Sequence, residues 1–118
     1  MNKNIEDITI GKDDWVFQEW DQGDYLYLIR SGLIGLYKRV SGVDVKIAEL
    51  TAGEVFGEMS VISGKPRSAG AVAMIDSELT KVSRGVIRKR FNESGVYFRL
   101  GLLSLFQHLN SPLFEAGK

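Results

Sequence analysis

The stretch Phe56-Gly57-Glu58-Met59-Ser60-Val61-Ile62-Ser63-Gly64-Lys65-Pro66-Arg67-Ser68-Ala69 breaks the rhythm of the sequence around it. Residues 57–64 have neither the alternation of a strand nor the composition of a loop, and fit one or two helical turns closed by Gly64. On both sides the chain reads as strands. Tyr25-Leu26-Tyr27-Leu28-Ile29 follows the turn residues Asp21-Gln22-Gly23-Asp24, and Ser31-Gly32 separates it from Leu33-Ile34-Gly35-Leu36-Tyr37, which together predict a hairpin. Past Ser41-Gly42, Val43, Val45 and Ile47 alternate with Asp44 and Lys46 as a half-buried strand does, and Thr51-Ala52-Gly53-Glu54 ends it. Downstream, Ala71-Val72-Ala73-Met74-Ile75 and Leu79-Thr80-Lys81-Val82 resume as strands. So many short apolar runs between Trp15 and Val82 favour an antiparallel barrel or jelly roll interrupted by one short helix.

The barrel is expected over about 11–82, with two C-terminal helices over about 83–109, all in a single domain spanning 1–118. Ser83 is the expected N-cap of the first helix, which carries Ile87 and Phe91 and ends near Gly95. The second runs from about Val96 to Leu109 and is stopped by Asn110-Ser111-Pro112. Phe98, Leu102, Leu105, Phe106 and Leu109 make one apolar stripe, and Val96, Leu100 and Leu103 add a second, more than docking on one surface requires. A ligand, a partner helix or another subunit is expected to cover the excess, so a homodimer or partner domain is expected through this helix.

Composition narrows the function classes. The 118 residues are 44% hydrophobic and 25% charged, the profile of one ordinary globular domain. Fifteen Lys and Arg balance fifteen Asp and Glu, so no basic field is available to attract a nucleic-acid backbone. There is no cysteine, and His108 is the only histidine, which removes disulfides, thiolate metal sites and histidine-rich metal centres. A cupin-like metal enzyme needs several histidines, and His108 reads as a capping or surface residue. No apolar run approaches the roughly 18–20 residues that span a bilayer, and the start lacks the apolar core of a signal peptide. The expectation is a cytoplasmic, non-enzymatic chain with no cofactor, no metal, no nucleic acid and no membrane partner.

The residues of the opening stretch suggest what it holds instead. Glycine at a helix start allows close approach to a phosphate, and Arg67, nine residues after Glu58, supplies a planar fork that can bind two phosphate oxygens. Ser68 adds a hydroxyl donor. Glu58, an acceptor-only carboxylate, suits a sugar hydroxyl such as a ribose 2′-OH. The pair can hold a ligand with an anionic end and a hydroxyl end, as in a cyclic ribose phosphate. The plainer alternative is that Glu58 merely favours a helix N-terminus and Arg67 is a surface charge in a proline-led loop.

Phe56-Gly57-Glu58-Met59 and Pro66-Arg67-Ser68-Ala69 resemble the phosphate-binding cassette of the cyclic-nucleotide-binding domain family. Phe17-Gln18-Glu19, Gln22-Gly23-Asp24, Leu26-Tyr27-Leu28-Ile29 with Ser31-Gly32, and Ile47-Ala48-Glu49-Leu50 with Gly53-Glu54 also resemble the family in order and spacing. The resemblance runs from about residue 11 to 109. It implies a mainly β fold with helices, a jelly-roll-like eight-stranded β-roll (double-stranded β-helix) with a short cassette helix and two C-terminal helices. It implies that Glu58 binds the ribose, that Arg67 and Ser68 bind the cyclic phosphate, and that the amides of Gly57, Met59 and Ala69 complete the site. Leu36, Ile47 and Ala48 would face the base, residues equally suited to ordinary core. Ser68, which in bacterial cAMP-binding relatives contacts phosphate, favours cAMP over cGMP; threonine there often accompanies cGMP.

The chain departs from the family at Trp20, where glycine is usual, and in having only about ten residues ahead of Gly11 in place of preceding helices. No helix-turn-helix follows residue 109, so the resemblance to bacterial cAMP-responsive transcription factors stops short of their DNA-binding half. The implied function is a sensor in which bound nucleotide brings the C-terminal helix over the base. The rival is a degenerate domain that keeps the fold, binds no nucleotide and serves in dimerisation or docking.

Overall fold

The computed structural model describes residues 4–90, with side-chain burial through residue 87. Phe91, Gly95, the second C-terminal helix with its two apolar stripes, and His108 lie outside the described residues. The elements are β1 (Ile5–Ile10), β2 (Trp15–Phe17), β3 (Tyr25–Ser31), β4 (Leu33–Val40), β5 (Val43–Thr51), β6 (Val55–Phe56), α1 (Glu58–Ser63), β7 (Gly70–Ala73), β8 (Ser77–Ser83) and α2 (Arg84–Arg90).

The strands form two four-stranded antiparallel sheets, ordered β1-β8-β3-β6 and β2-β7-β4-β5. Successive strands alternate between the sheets except at the β4–β5 hairpin, which is the jelly-roll winding expected for the eight-stranded β-roll. The main core lies between the sheets and gathers Tyr27, Ile29, Ile34, Phe56, Ala71, Ala73 and Leu79. A second cluster on the other face of the first sheet joins Leu26 and Val82 to Val61 of α1 and Ile87 of α2. This explains the unbroken apolar run at 26–29: β3 is covered on both faces, so alternation is lost.

The helix boundaries agree with the turn chemistry. Gly64 closes α1 in the left-handed conformation, its N–H donating to the Ser60 carbonyl. Ser83 caps α2, its Oγ accepting from the Val86 N–H at 3.2 Å.

Four expectations are corrected. The hairpin expected from Tyr25–Ile29 and Leu33–Tyr37 does not form: β3 pairs with β6 and β8 in one sheet and β4 with β5 and β7 in the other, so Ser31-Gly32 carries the chain from one sheet to the other. The sheet begins at Ile5 rather than near residue 11, because β1 pairs along its whole length with β8. β7 ends at Ala73, so Met74 and Ile75 are outside the strand. The apolar side of β5 is not half-buried: Val43 is 61% exposed, Val45 42% and Ile47 52%. For Val43 and Val45 the reason is topological. β4 pairs with β7 only over Ile34–Tyr37 but with β5 out to Val40, so the hairpin end runs past the third strand into solvent.

Candidate functional site

β6, α1 and the loop leading into β7 enclose one side of a cavity of about 260 Å³. Gly57 enters α1 with φ 80, and a Cβ there would stand 2.8 Å from Arg67 Nη1. Both the backbone conformation and the space require glycine.

Arg67 is no surface charge. It is 3% exposed, donating from Nη1 to the Gly57 carbonyl and from Nη2 to the Tyr25 carbonyl, each at 2.7 Å. Its guanidinium lies over the Phe17 ring, 4.0 Å from the centroid. Its Nε is buried and finds no acceptor among the described residues. Burial pushes its pKa below the ordinary guanidinium value, opposed by the nearby Tyr27 hydroxyl and by Asp24 and Asp21. Burial likewise raises the Tyr27 phenol, with Arg67 acting against it.

The loop carrying Arg67 is sewn to the β2–β3 loop by two backbone bonds of 2.8 Å, Trp20 N–H to the Arg67 carbonyl and Arg67 N–H to the Asp21 carbonyl. On the other side Lys38 Nζ donates to the Ser68 carbonyl at 2.8 Å, with Glu19 3.9 Å from the ammonium. An irregular segment is thus held from both flanks.

The cavity brings together Gly57, Glu58, Met59, Arg67, Ser68 and Ala69, six residues expected at one site, along with Leu36. Ile47 and Ala48 do not line it. The β4–β5 ladder slips between Leu36 and Tyr37, which pair with Ala48 and Lys46 and leave Ile47 without a partner, exposed; Ala48 has only a methyl group to offer. Phe17, Leu50, Val55 and the buried Ser60 line the wall without having been singled out for it. Periodicity could not find them, since each looks like an ordinary core or helix residue. The wall is therefore apolar on the sheet side, with a carboxylate, a guanidinium and hydroxyls on the cassette side. Among the described residues no group of three or more His, Asp or Glu could hold a metal ion, and no helix is long and apolar enough to cross a membrane.

This geometry coincides with a family match: the cyclic nucleotide-binding domain model covers residues 8–94, the β-roll and its cassette included. The chain belongs to the cyclic nucleotide-binding domain family. Among curated relatives, the domain is 29% identical over 122 residues to a cAMP-dependent protein kinase regulatory subunit of Candida albicans, covering 95% of this chain and 26% of that protein. It is 41% identical over 70 residues to a Cyclic AMP receptor protein of Thermus thermophilus, covering 58% of this chain and 32% of that protein. Among solved structures it is similar to the cGMP-bound form of the EAL enzyme Bd1971, with a TM-score of 0.72, 30% identity, and coverage of 91% of this chain and 28% of that one. The domain thus spans about a quarter to a third of these relatives. They are named as a regulatory subunit, a receptor and an enzyme, so the shared module recurs in proteins of different names and activities.

Proposed function

We propose that this domain is a cytoplasmic sensor module that captures a cyclic nucleotide in the cassette cavity, cAMP ahead of cGMP, and performs no chemistry on it. One observation carries the proposal. A buried arginine whose Nε finds no acceptor among the described residues and a carboxylate-bearing helix turn line the same cavity, the two chemistries that opposite ends of a cyclic ribose phosphate demand. Arg67 and Ser68 take the phosphate, with Ala69 beside them; Glu58 takes the ribose hydroxyl, with Gly57 and Met59; Leu36 contacts the base. The preference for cAMP rests on Ser68 and on the relatives named for cAMP; solved forms of the EAL enzyme carry cAMP in one case and cGMP in another. Binding then draws the cassette inward and brings the segment at 96–109 over the base, within a single domain spanning 1–118.

The rival reading, a degenerate docking or dimerisation module, draws on one feature: both Nη groups of Arg67 already have backbone acceptors, so the fold holds this side chain without a ligand. Calorimetric titration with cAMP and cGMP at equal ionic strength separates the two. Arg67→Ala is expected to weaken binding by about 2–5 kcal/mol, roughly 30-fold or more, the usual loss when one side of a buried charged pair is removed. Arg67→Lys should also bind poorly, since an ammonium cannot reproduce the fork. Equal affinities, or no binding by the unaltered domain, would refute the sensor. For Glu58→Gln the loss should be smaller and should shrink further with a 2′-deoxy analogue; an undiminished effect on the deoxy ligand would contradict the ribose role.

A further inference from the structure

On the other face of the second sheet lies a cleft of about 260 Å³ that shares no lining residue with the cassette cavity. Leu36 lines the cavity and Tyr37, the next residue of β4, lines the cleft, as strand alternation requires. Gly70 lets the Trp15 indole lie close against the sheet, since a Cβ there would stand 2.6 Å from its Cζ3. Tyr37 meets that indole at 66°, with ring centroids 6.3 Å apart. The two rings make a corner. A flat ligand stacked on one cannot lie flat on the other, whereas a compact group can touch both.

Trp20 adds a third ring to the lining. It holds φ 77, a strained conformation for any residue but glycine, and it is 76% exposed, so folding gains little from its indole. The turn is kept in shape by the backbone bond from its N–H to the Arg67 carbonyl, in which the indole has no part. Strain retained at an exposed residue points to a function there, and tryptophan is among the side chains most enriched where binding energy concentrates.

The charges in the cleft are unequal. Glu19 Oε1 accepts from the Arg39 N–H at 2.9 Å, which fixes the carboxylate, and Lys38, 3.9 Å away, donates to the Ser68 carbonyl and does not line the cleft. Arg39 carries its guanidinium toward the hairpin end, Nη2 donating to the Gly42 carbonyl at 3.3 Å and Nη1 lying 3.7 Å from Asp44 Oδ1. The lining thus sets the two carboxylates of Glu19 and Asp44 against one guanidinium, and Asp44 already answers that one.

We propose that this cleft is a binding site for an organic cation, an alkylated ammonium group seated in the aromatic corner with Glu19 as its countercharge. Indole and phenol faces attract a cation through their quadrupoles, and a methylated ammonium needs no hydrogen-bond acceptors and sheds water more readily than a bare one. An anion would meet the surplus carboxylate. The site stands apart from the nucleotide reading, because neither cavity borrows a residue from the other.

Trp15 and Trp20 are the only tryptophans in the chain, so intrinsic fluorescence reports this cleft directly. The full chain is titrated with choline chloride and with a short peptide carrying trimethyl-lysine, each against sodium chloride at equal ionic strength. Both cations should give a saturable change with half-saturation at about 0.1–10 mM, and the tighter of the two tells a free small molecule from a protein side chain as the source. The uncharged analogue of choline, with carbon in place of nitrogen, should bind at least about tenfold more weakly. By calorimetry, Trp20→Gly should weaken choline binding by about three- to thirtyfold. Glu19→Gln keeps an acceptor for the Arg39 N–H, should weaken it by about threefold, and serves if the glycine variant does not fold. No saturable change with either cation, equal binding of the uncharged analogue, or unaltered affinity in either variant overturns the inference.

Discussion

The cassette loop and the β4–β5 hairpin are opposites. Residues 65–69 have no regular structure, yet their central side chain is an arginine almost wholly removed from water, stacked on Phe17 and bonded to two backbone carbonyls. β5 is a nine-residue strand laddered with β4 apart from one slip at Ile47, yet its valines face solvent. Regularity and burial are therefore set by different things. A ladder needs only one neighbour, whereas burial needs several elements to converge, and β2, the β2–β3 loop, β3 and Gly57 at the start of α1 converge on Arg67 while only β4 reaches the far end of β5. The crowded part of the molecule is the irregular part.

After the loss of Arg67, the largest effect on this contrast should come from Gly23→Ala. The added methyl would meet Ser60 Cβ at 2.3 Å and Ser60 Oγ at 2.9 Å, in a place where loop and helix are pinned by Arg84 and Arg67. Overpacking of this kind costs about 1–3 kcal/mol, read as a lower denaturant midpoint at unchanged slope. A loss under about 0.5 kcal/mol, the range of an ordinary surface change, would show that the loop withdraws freely from α1 and that the crowded half of the comparison is wrong.

How much of this was legible in the sequence follows the same divide. The cassette could be read as a unit because its informative residues are local: a glycine at a helix start, a carboxylate beside it, and Pro-Arg-Ser-Ala after Gly64 carry their chemistry in their order. Ser83 as a cap and Gly64 as a stop were equally local. Phe17 beneath the guanidinium, Lys38 on the Ser68 carbonyl and Arg84 on the Ser60 carbonyl were not, because each contact joins segments far apart in the chain and residue types with many other uses. The role of Arg67 as a structural rivet was missed for the same reason: its acceptors are backbone carbonyls, which every residue has. For β5, Val43, Val45 and Ile47 announced a strand correctly but said nothing of whether a third strand would lie beside it. The resemblance turns Ile47 and Ala48 toward the base, but a slip in the ladder leaves Ile47 unpaired and exposed, and Ala48, though paired with Leu36, does not line the cavity either.

Trp20 offers a smaller and opposite effect. It occupies φ 77, a left-handed conformation in which a side chain is strained, and it is 76% exposed, so its ring contributes little burial in return. The neighbouring bonds from its N–H to Arg67 and from Arg67 to Asp21 hold the turn in this shape. Glycine relieves the strain but gives the unfolded chain more freedom, so Trp20→Gly should raise stability by about 0.5–1 kcal/mol in denaturant titration. A loss instead would mean that the indole is packed against something in solution, and the cleft it shares with Trp15 and Tyr37 would then count as covered surface.

The smallest effect belongs to the hairpin and is the most searching test of the contrast. Val45 faces Lys38 across the ladder beyond the reach of β7, and its neighbours Val40 and Val43 are also exposed. If these valines stand in water, Val45→Lys removes no buried contact and costs only the modest loss of strand preference, partly through repulsion with Lys38, and stability should change by no more than about 0.5 kcal/mol. Val45→Thr, which keeps the branched Cβ and adds no charge, should change it less. A cost well above 1 kcal/mol for both variants is the signature of a side chain taken out of water. Since the described residues offer nothing to cover it, that result would place a further segment of the chain or a second copy on the hairpin. Repeating the denaturation at several protein concentrations tells the two apart, because only association makes the cost depend on concentration.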